Sequence, residues 1–268
     1  MALGGNPVFN SKSYREQTGP NAATATFHAQ PNLSAQELQD LYTKPSAGPQ
    51  QTGRMTYASV INKTMATFAV LLIGAVIGWQ APGLMIVGAI VGLVLGLVNS
   101  FKKQPSPILI LLYAGFEGLF VGGLSGYLEA QYPGIAGQAV LATLSVFAVV
   151  LVLYRSGKYR ATPKMTKMFM AAMIGYVLFS LLNFVLMITG VAGGQFGMRS
   201  GLLGIGIGIL AVLLATYALV LDFTSISEGV RNGAPEKFSW TAAFGLTVTM
   251  VWLYIEILRI LAILRGDD

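Results

Sequence analysis

Three carboxylates stand inside long apolar runs of this chain, Glu117, Asp222 and Glu256, and Arg259 follows the last of them. An ionisable group at the centre of a bilayer costs about 2.5 kcal/mol or more, so each is read as functional by default. Thr249, Trp252, Glu256 and Arg259 recur at steps of three, four and three, which puts them on one helical face. Two arrangements follow for Glu256. It pairs with Arg259 one turn on, neutralising both charges, or it meets Asp222 across two helices. In the second case the two carboxyls share one proton, and the contact responds to pH. The same oxygens at Asp222 and Glu256 are hard ligands of the kind that suit hard cations. Glu117 lies beside a glycine-rich face and could line the same cavity. Its alternative is burial in protonated form, hydrogen-bonded to Ser125, Tyr113 or a backbone carbonyl.

The element carrying Asp222 has its own pattern. Gly204, Gly208, Ala211, Ala215, Ala218, Asp222, Ser225 and Gly229 recur at steps of four and three, forming one continuous stripe. A face of small residues should meet another helix, so Asp222 is expected to point into a bundle. The other reading makes it a wetted helix end, with the span stopping near Leu221. Gly88, Gly92 and Gly96, like Gly118, Gly122 and Gly126, repeat at four-residue spacing and support close helix packing.

Those elements must be membrane spans. The 268 residues are 54% hydrophobic and only 10% charged, far from a water-soluble average. Seven apolar segments, near 65–80, 82–100, 107–127, 135–154, 168–190, 203–227 and 241–264, have the length that crosses about 30 Å of hydrocarbon. The fold expected is an all-α bundle of seven transmembrane helices over 57–268, the first span being the shortest. No apolar leader precedes Met65, so that span is expected to be the insertion signal. Residues 1–56 form a polar tail, expected to be largely disordered. Ser34 and Glu37 read as a capping box starting a short helix near 34–43. His28, the only histidine, is expected to be solvated.

Lys12, Arg15, Lys44, Arg54 and Lys63 precede or open the first span. Further basic residues fall in the second-to-third, fourth-to-fifth and sixth-to-seventh connections. All lie on one side, which the positive-inside rule assigns to the cytoplasm, giving a cell-membrane protein with its N-terminus inside. The opposite loops hold only Arg199, with Arg265 after the last span. This bias and anionic lipid account for the net charge of +6 without nucleic acid. The expected partner is the lipid bilayer, and oligomeric state is left open.

Catalytic readings fail on residue supply. Cysteine is absent, which removes thiolate chemistry. Gly123-Leu124-Ser125-Gly126 matches the GxSG of rhomboid proteases, but no histidine outside the tail could act as its base. A presenilin-like aspartyl dyad lacks the GxGD around its second acid. The chain is therefore expected to be no enzyme and to hold no cofactor.

Leu221-Asp222-Phe223-Thr224-Ser225-Ile226 and Leu253-Tyr254-Ile255-Glu256 resemble the D-x-x-x-I and LY-L-D motifs in the last two helices of the Bax inhibitor-1 (TMBIM) family, including its bacterial YetJ- and YccA-like members. The resemblance covers about residue 60 to the end and leaves the polar tail outside. It implies a seven-helix fold and a pH-sensitive calcium leak channel or exchanger, gated by a carboxylate pair carried here by Asp222 and Glu256. The alternative is a non-transporting regulator that binds another membrane protein, such as a quality-control protease. Glu stands where the family has Asp, and Glu117 has no counterpart in the family pattern.

Depth makes the pairing demanding. If the last span starts near Thr241, Glu256 lies about 22 Å along it at 1.5 Å per residue, whereas Asp222 is nearer the basic side. The two meet only if the sixth helix runs past Ser225 and the seventh starts late, tilts or breaks.

Overall fold

The computed structural model describes residues 53–157, 160–191, 193 and 195–266. The expected helix near 34–43 and His28 lie outside these residues. Among the described residues the elements are seven long helices with no β-strand. They are α1 (Tyr57–Gln80), α2 (Met85–Phe101, entered through a 3-10 turn at Pro82–Leu84), α3 (Pro107–Gln131), α4 (Ile135–Arg155), α5 (Pro163–Ile188), α6 (Gly201–Arg231) and α7 (Phe238–Gly266). All are long and apolar enough to cross a membrane, and the chain is a multi-pass membrane protein.

Helix α1 is longer than its apolar stretch. It begins at a capping box in which Thr56 and Ser59 satisfy each other's backbone N–H groups. Its first two turns carry Ser59, Asn62, Lys63 and Thr64, which a hydropathy window scores as loop. These turns are anchored to the α6–α7 connection. Met55 N–H donates to the Ala234 carbonyl at 2.6 Å, Ser59 and Ser239 share a hydroxyl contact at 2.7 Å, and Lys63 pairs with Glu236 at 2.9 Å. At the opposite end Glu129 closes α3 onto α4, accepting from the N–H of Gly134 at 2.5 Å and of Ala136 at 2.9 Å. Gly134 has φ +85°, a left-handed turn that favours glycine. A carboxylate at these free amides is favourable for α4. Arg265, ending α7, donates to the Pro133 carbonyl at 2.7 Å.

The glycine repeats do the packing expected of them. A Cβ at Gly118 would run into the Leu71 carbonyl, and one at Gly122 would sit 2.6 Å from the Ala75 Cα. The backbones of α1 and α3 therefore touch, and only glycine permits it there. On the other side of α3, Gly88 and Gly92 of α2 abut Phe116, Glu117 and Phe120.

Centrality follows polarity. In hydrocarbon a helix that is apolar all round can face lipid, whereas one with polar groups around its circumference must be shielded by protein. In α7, 67% of the membrane-length stretch is buried, against 6% in α5. Helix α7 carries Ser239, Thr241, Thr247, Thr249, Glu256 and Arg259, all buried, and packs against α1, α3, α4 and α6. Helix α5 is chiefly Met, Leu, Phe and Val and packs mainly against α6.

Candidate functional site: two carboxylates at two levels

Helix α6 delivers Asp222 as the stripe requires. All eight stripe positions are buried, and Asp222 is 0% exposed. The span runs on to Arg231, so the wetted-end reading falls away. Thr249 of α7 donates its hydroxyl to Asp222 Oδ2 at 2.6 Å. This contact fixes the relative depth of the two helices: Asp222 stands level with Thr249.

Glu256 lies seven residues further along α7, about 10 Å at 1.5 Å per residue. Helix α6 does run past Ser225, but α7 starts earlier than expected, at Phe238, so the depth difference persists. The proton-sharing pair is thus replaced by two carboxylates on adjoining helices, each with its own partners. Of the two partners open to Glu256, the structure selects Arg259. Its Nη1 donates to Glu256 Oε1 at 3.2 Å and its Nη2 to Oε2, a bidentate ion pair within one turn.

A second guanidinium also reaches Glu256. Arg199, counted above as an outer-loop charge, turns into the bundle, is 8% exposed, and places Nη1 3.8 Å from Glu256 Oε1. The α5–α6 connection is held in place to allow this. Asn183 of α5 accepts from Met198 N–H at 2.7 Å and donates to the Phe196 carbonyl at 3.3 Å. Arg199 donates to the Tyr176 hydroxyl at 3.2 Å and to Ser180 Oγ, and its guanidinium lies 5.0 Å from the Tyr176 ring and 5.5 Å from that of Phe179. Tyr176 itself donates to Glu256 Oε1, and Trp252 Nε1 does so at 3.3 Å. One carboxylate therefore serves two guanidiniums, a phenol and an indole. The Nε atoms of both arginines are buried without a hydrogen-bond partner, in keeping with this surplus of donors. Sequence reasoning missed Arg199, Tyr176 and Ser180; for Arg199 there was no signal, because a loop arginine beside an outer segment gives no sign that it folds inward. A weak signal was available in Tyr176, Ser180 and Asn183, which recur at steps of four and three on α5 and form a lone polar stripe on an apolar helix.

Of the two readings of Glu117, the structure does not favour the shared cavity. Its carboxylate faces α2, where a Cβ at Gly92 would sit 2.7 Å from Glu117 Oε2. Ser125 is not its partner, for that hydroxyl donates to the Val121 carbonyl and meets Tyr254 of α7 at 2.7 Å.

Chemically, the two levels differ. A hydroxyl both donates and accepts, so the Asp222–Thr249 contact is compatible with either protonation state of the carboxyl. The guanidiniums around Glu256 only donate, so both carboxyl oxygens there serve as acceptors. Among the described residues no group of three or more His, Cys, Asp or Glu side chains converges.

No curated protein matches the chain. The family model described as Bax inhibitor 1 like matches residues 6–266, which brings the polar tail inside the family match as well. With seven spans and the acids of α6 and α7 in place, the chain belongs to the Bax inhibitor 1 like family.

Proposed function

We propose that this membrane protein passes cations, calcium foremost, down their gradient, with Asp222 as the proton-responsive group of the path and Glu256 as an outer lock. The observation that carries the reading is that the two buried carboxylates stand at separate levels: Asp222 accepts from the Thr249 hydroxyl, and Glu256 lies between Arg259 and Arg199. An ionised Asp222 attracts a cation, and its protonation removes that charge without dismantling the helix contact. At Glu256 the cation's place is taken by guanidiniums, one of them, Arg199, supplied by the α5–α6 connection rather than by a span. Conduction needs binding weak enough for release, which single carboxylates at separate levels provide better than a closed ligand cage.

The basic residues near Tyr57 and in the α2–α3, α4–α5 and α6–α7 connections support a cytoplasmic N-terminus in the cell membrane. Asp222 then lies toward the cytoplasm and Glu256 toward the outside. The test is flux from liposomes containing the purified full chain, measured for calcium, sodium and potassium between pH 6 and pH 8. Calcium flux that rises with pH is the expected result. No flux of any ion would overturn the proposal in favour of a non-transporting regulator acting on another membrane protein.

A further inference from the structure

Helices α1 and α4 do not close against each other. Between them lies a cavity of about 660 Å³, within the size range of small-molecule sites, about 300–1,000 Å³. Its walls are one face of each helix, from Phe68 to Gln80 on α1 and from Ala136 to Leu144 on α4, and its floor is built by α3 and α7. The lining is almost wholly apolar. The Ser125 and Tyr254 hydroxyls on the floor are bonded to each other, and Thr143 is bonded to the Ala139 carbonyl, so none of the three calls for a polar ligand.

We infer that this cleft is a binding site for one acyl chain of a membrane phospholipid from the leaflet at the Gln80 end of α1. Length decides the occupant. From Gln80 to Phe68 is twelve residues, about 18 Å of helix rise, and one leaflet's share of a hydrocarbon core about 30 Å thick is about 15 Å. The cleft therefore starts at the membrane surface, where Gln80 and Trp79 flank its mouth, and ends near the depth at which an acyl chain ends. A tryptophan at that level suits the headgroup boundary. The walls are helix faces within the span, so the cavity opens sideways into hydrocarbon, and a chain enters without crossing water. The glycine-driven contact of α1 with α3 makes the cleft a lasting feature, because α1 cannot shift toward α4 without losing that backbone contact. The floor of the cleft uses Met250, Val251 and Tyr254 of α7 and neither Asp222 nor Glu256, and the inference does not depend on the transport proposal.

Gly137 offers a clean probe, since a Cβ built there meets no atom within 4 Å although the residue lines the cleft. Gly137→Phe should fill the space without disturbing the backbone, and Val140→Trp, on the same wall, is a second filling variant. Gly206, exposed on α6 and likewise free of neighbours within 4 Å, gives the control Gly206→Phe. Native mass spectrometry of the full chain, released from micelles doped with phosphatidylglycerol and phosphatidylethanolamine, counts retained lipid. One phospholipid should stay with the wild type and with Gly206→Phe, and the retained fraction should fall at least tenfold in either filling variant that keeps wild-type thermal unfolding. Equal retention in all variants, or no retained lipid in the wild type, overturns the inference. So does a wild-type dimer that Gly137→Phe dissociates, because a second copy would then be the occupant.

Discussion

Charge counting at Glu256 makes a quantitative prediction. The cluster of Glu256, Arg259 and Arg199 holds one negative and two positive groups, with Glu256 2% and each arginine 8% exposed. Glu256→Gln leaves two buried guanidiniums with no counter-charge, and removing one partner of a buried ion pair costs about 3–5 kcal/mol. Arg199→Met instead leaves the bidentate Glu256–Arg259 pair whole and brings the cluster to neutrality. Its cost is the lost contacts to Tyr176, Ser180 and the Phe179 ring, about 1–2 kcal/mol. At about 2–4 °C per kcal/mol for a chain of this size, the unfolding midpoint should drop by about 6–20 °C for Glu256→Gln and by about 2–8 °C for Arg199→Met. Adding Arg199→Met to Glu256→Gln should recover part of the loss, since one unpaired cation is removed. Thermal unfolding in lipid nanodiscs, followed by tryptophan fluorescence, measures all three. An Arg199→Met variant as damaged as Glu256→Gln, or a double variant worse than the sum of the singles, would refute the charge count.

Gly122→Ala should lower stability by about 1–3 kcal/mol, the usual cost of overpacking, because its Cβ would lie 2.6 Å from the Ala75 Cα; the same substitution at Gly137, open on all sides, should change the midpoint little. Thr249→Val keeps the side-chain shape but removes the 2.6 Å hydrogen bond to Asp222, and a bond to a charged group contributes about 1.5–3 kcal/mol, readable in the same unfolding assay.

Apolar length and small-residue spacing made the seven spans and the buried face of α6 legible, because both are local properties of one helix. The start of α1 was not, since the turn carrying Ser59, Asn62, Lys63 and Thr64 is set by a capping box and by the ion pair of Lys63 with Glu236, about 170 residues away, rather than by hydrophobicity. Asp222 and Glu256 stood out by the cost of charge in lipid, which singles out residues but not their partners. The helix rise already spoke against a direct pair. The place of Thr249 beside Asp222, and of Arg199 beside Glu256, depends on the relative depth of helices and the path of the α5–α6 connection, neither of which is written in a single periodicity. Glu117 illustrates the same limit: its helix was plain, while the side it faces depended on where α2 packs.

The central claim is that the two carboxylates act separately, one as the path's titrating charge and the other as a lock. Calcium flux in liposomes, measured across pH for the full chain, Asp222→Asn and Arg199→Met, tests it most directly. Asp222→Asn should give low flux that no longer changes with pH, whereas Arg199→Met should raise flux while keeping its pH dependence. If both substitutions shift flux in the same direction, or if Asp222→Asn retains the wild-type pH profile, the two-level account is contradicted.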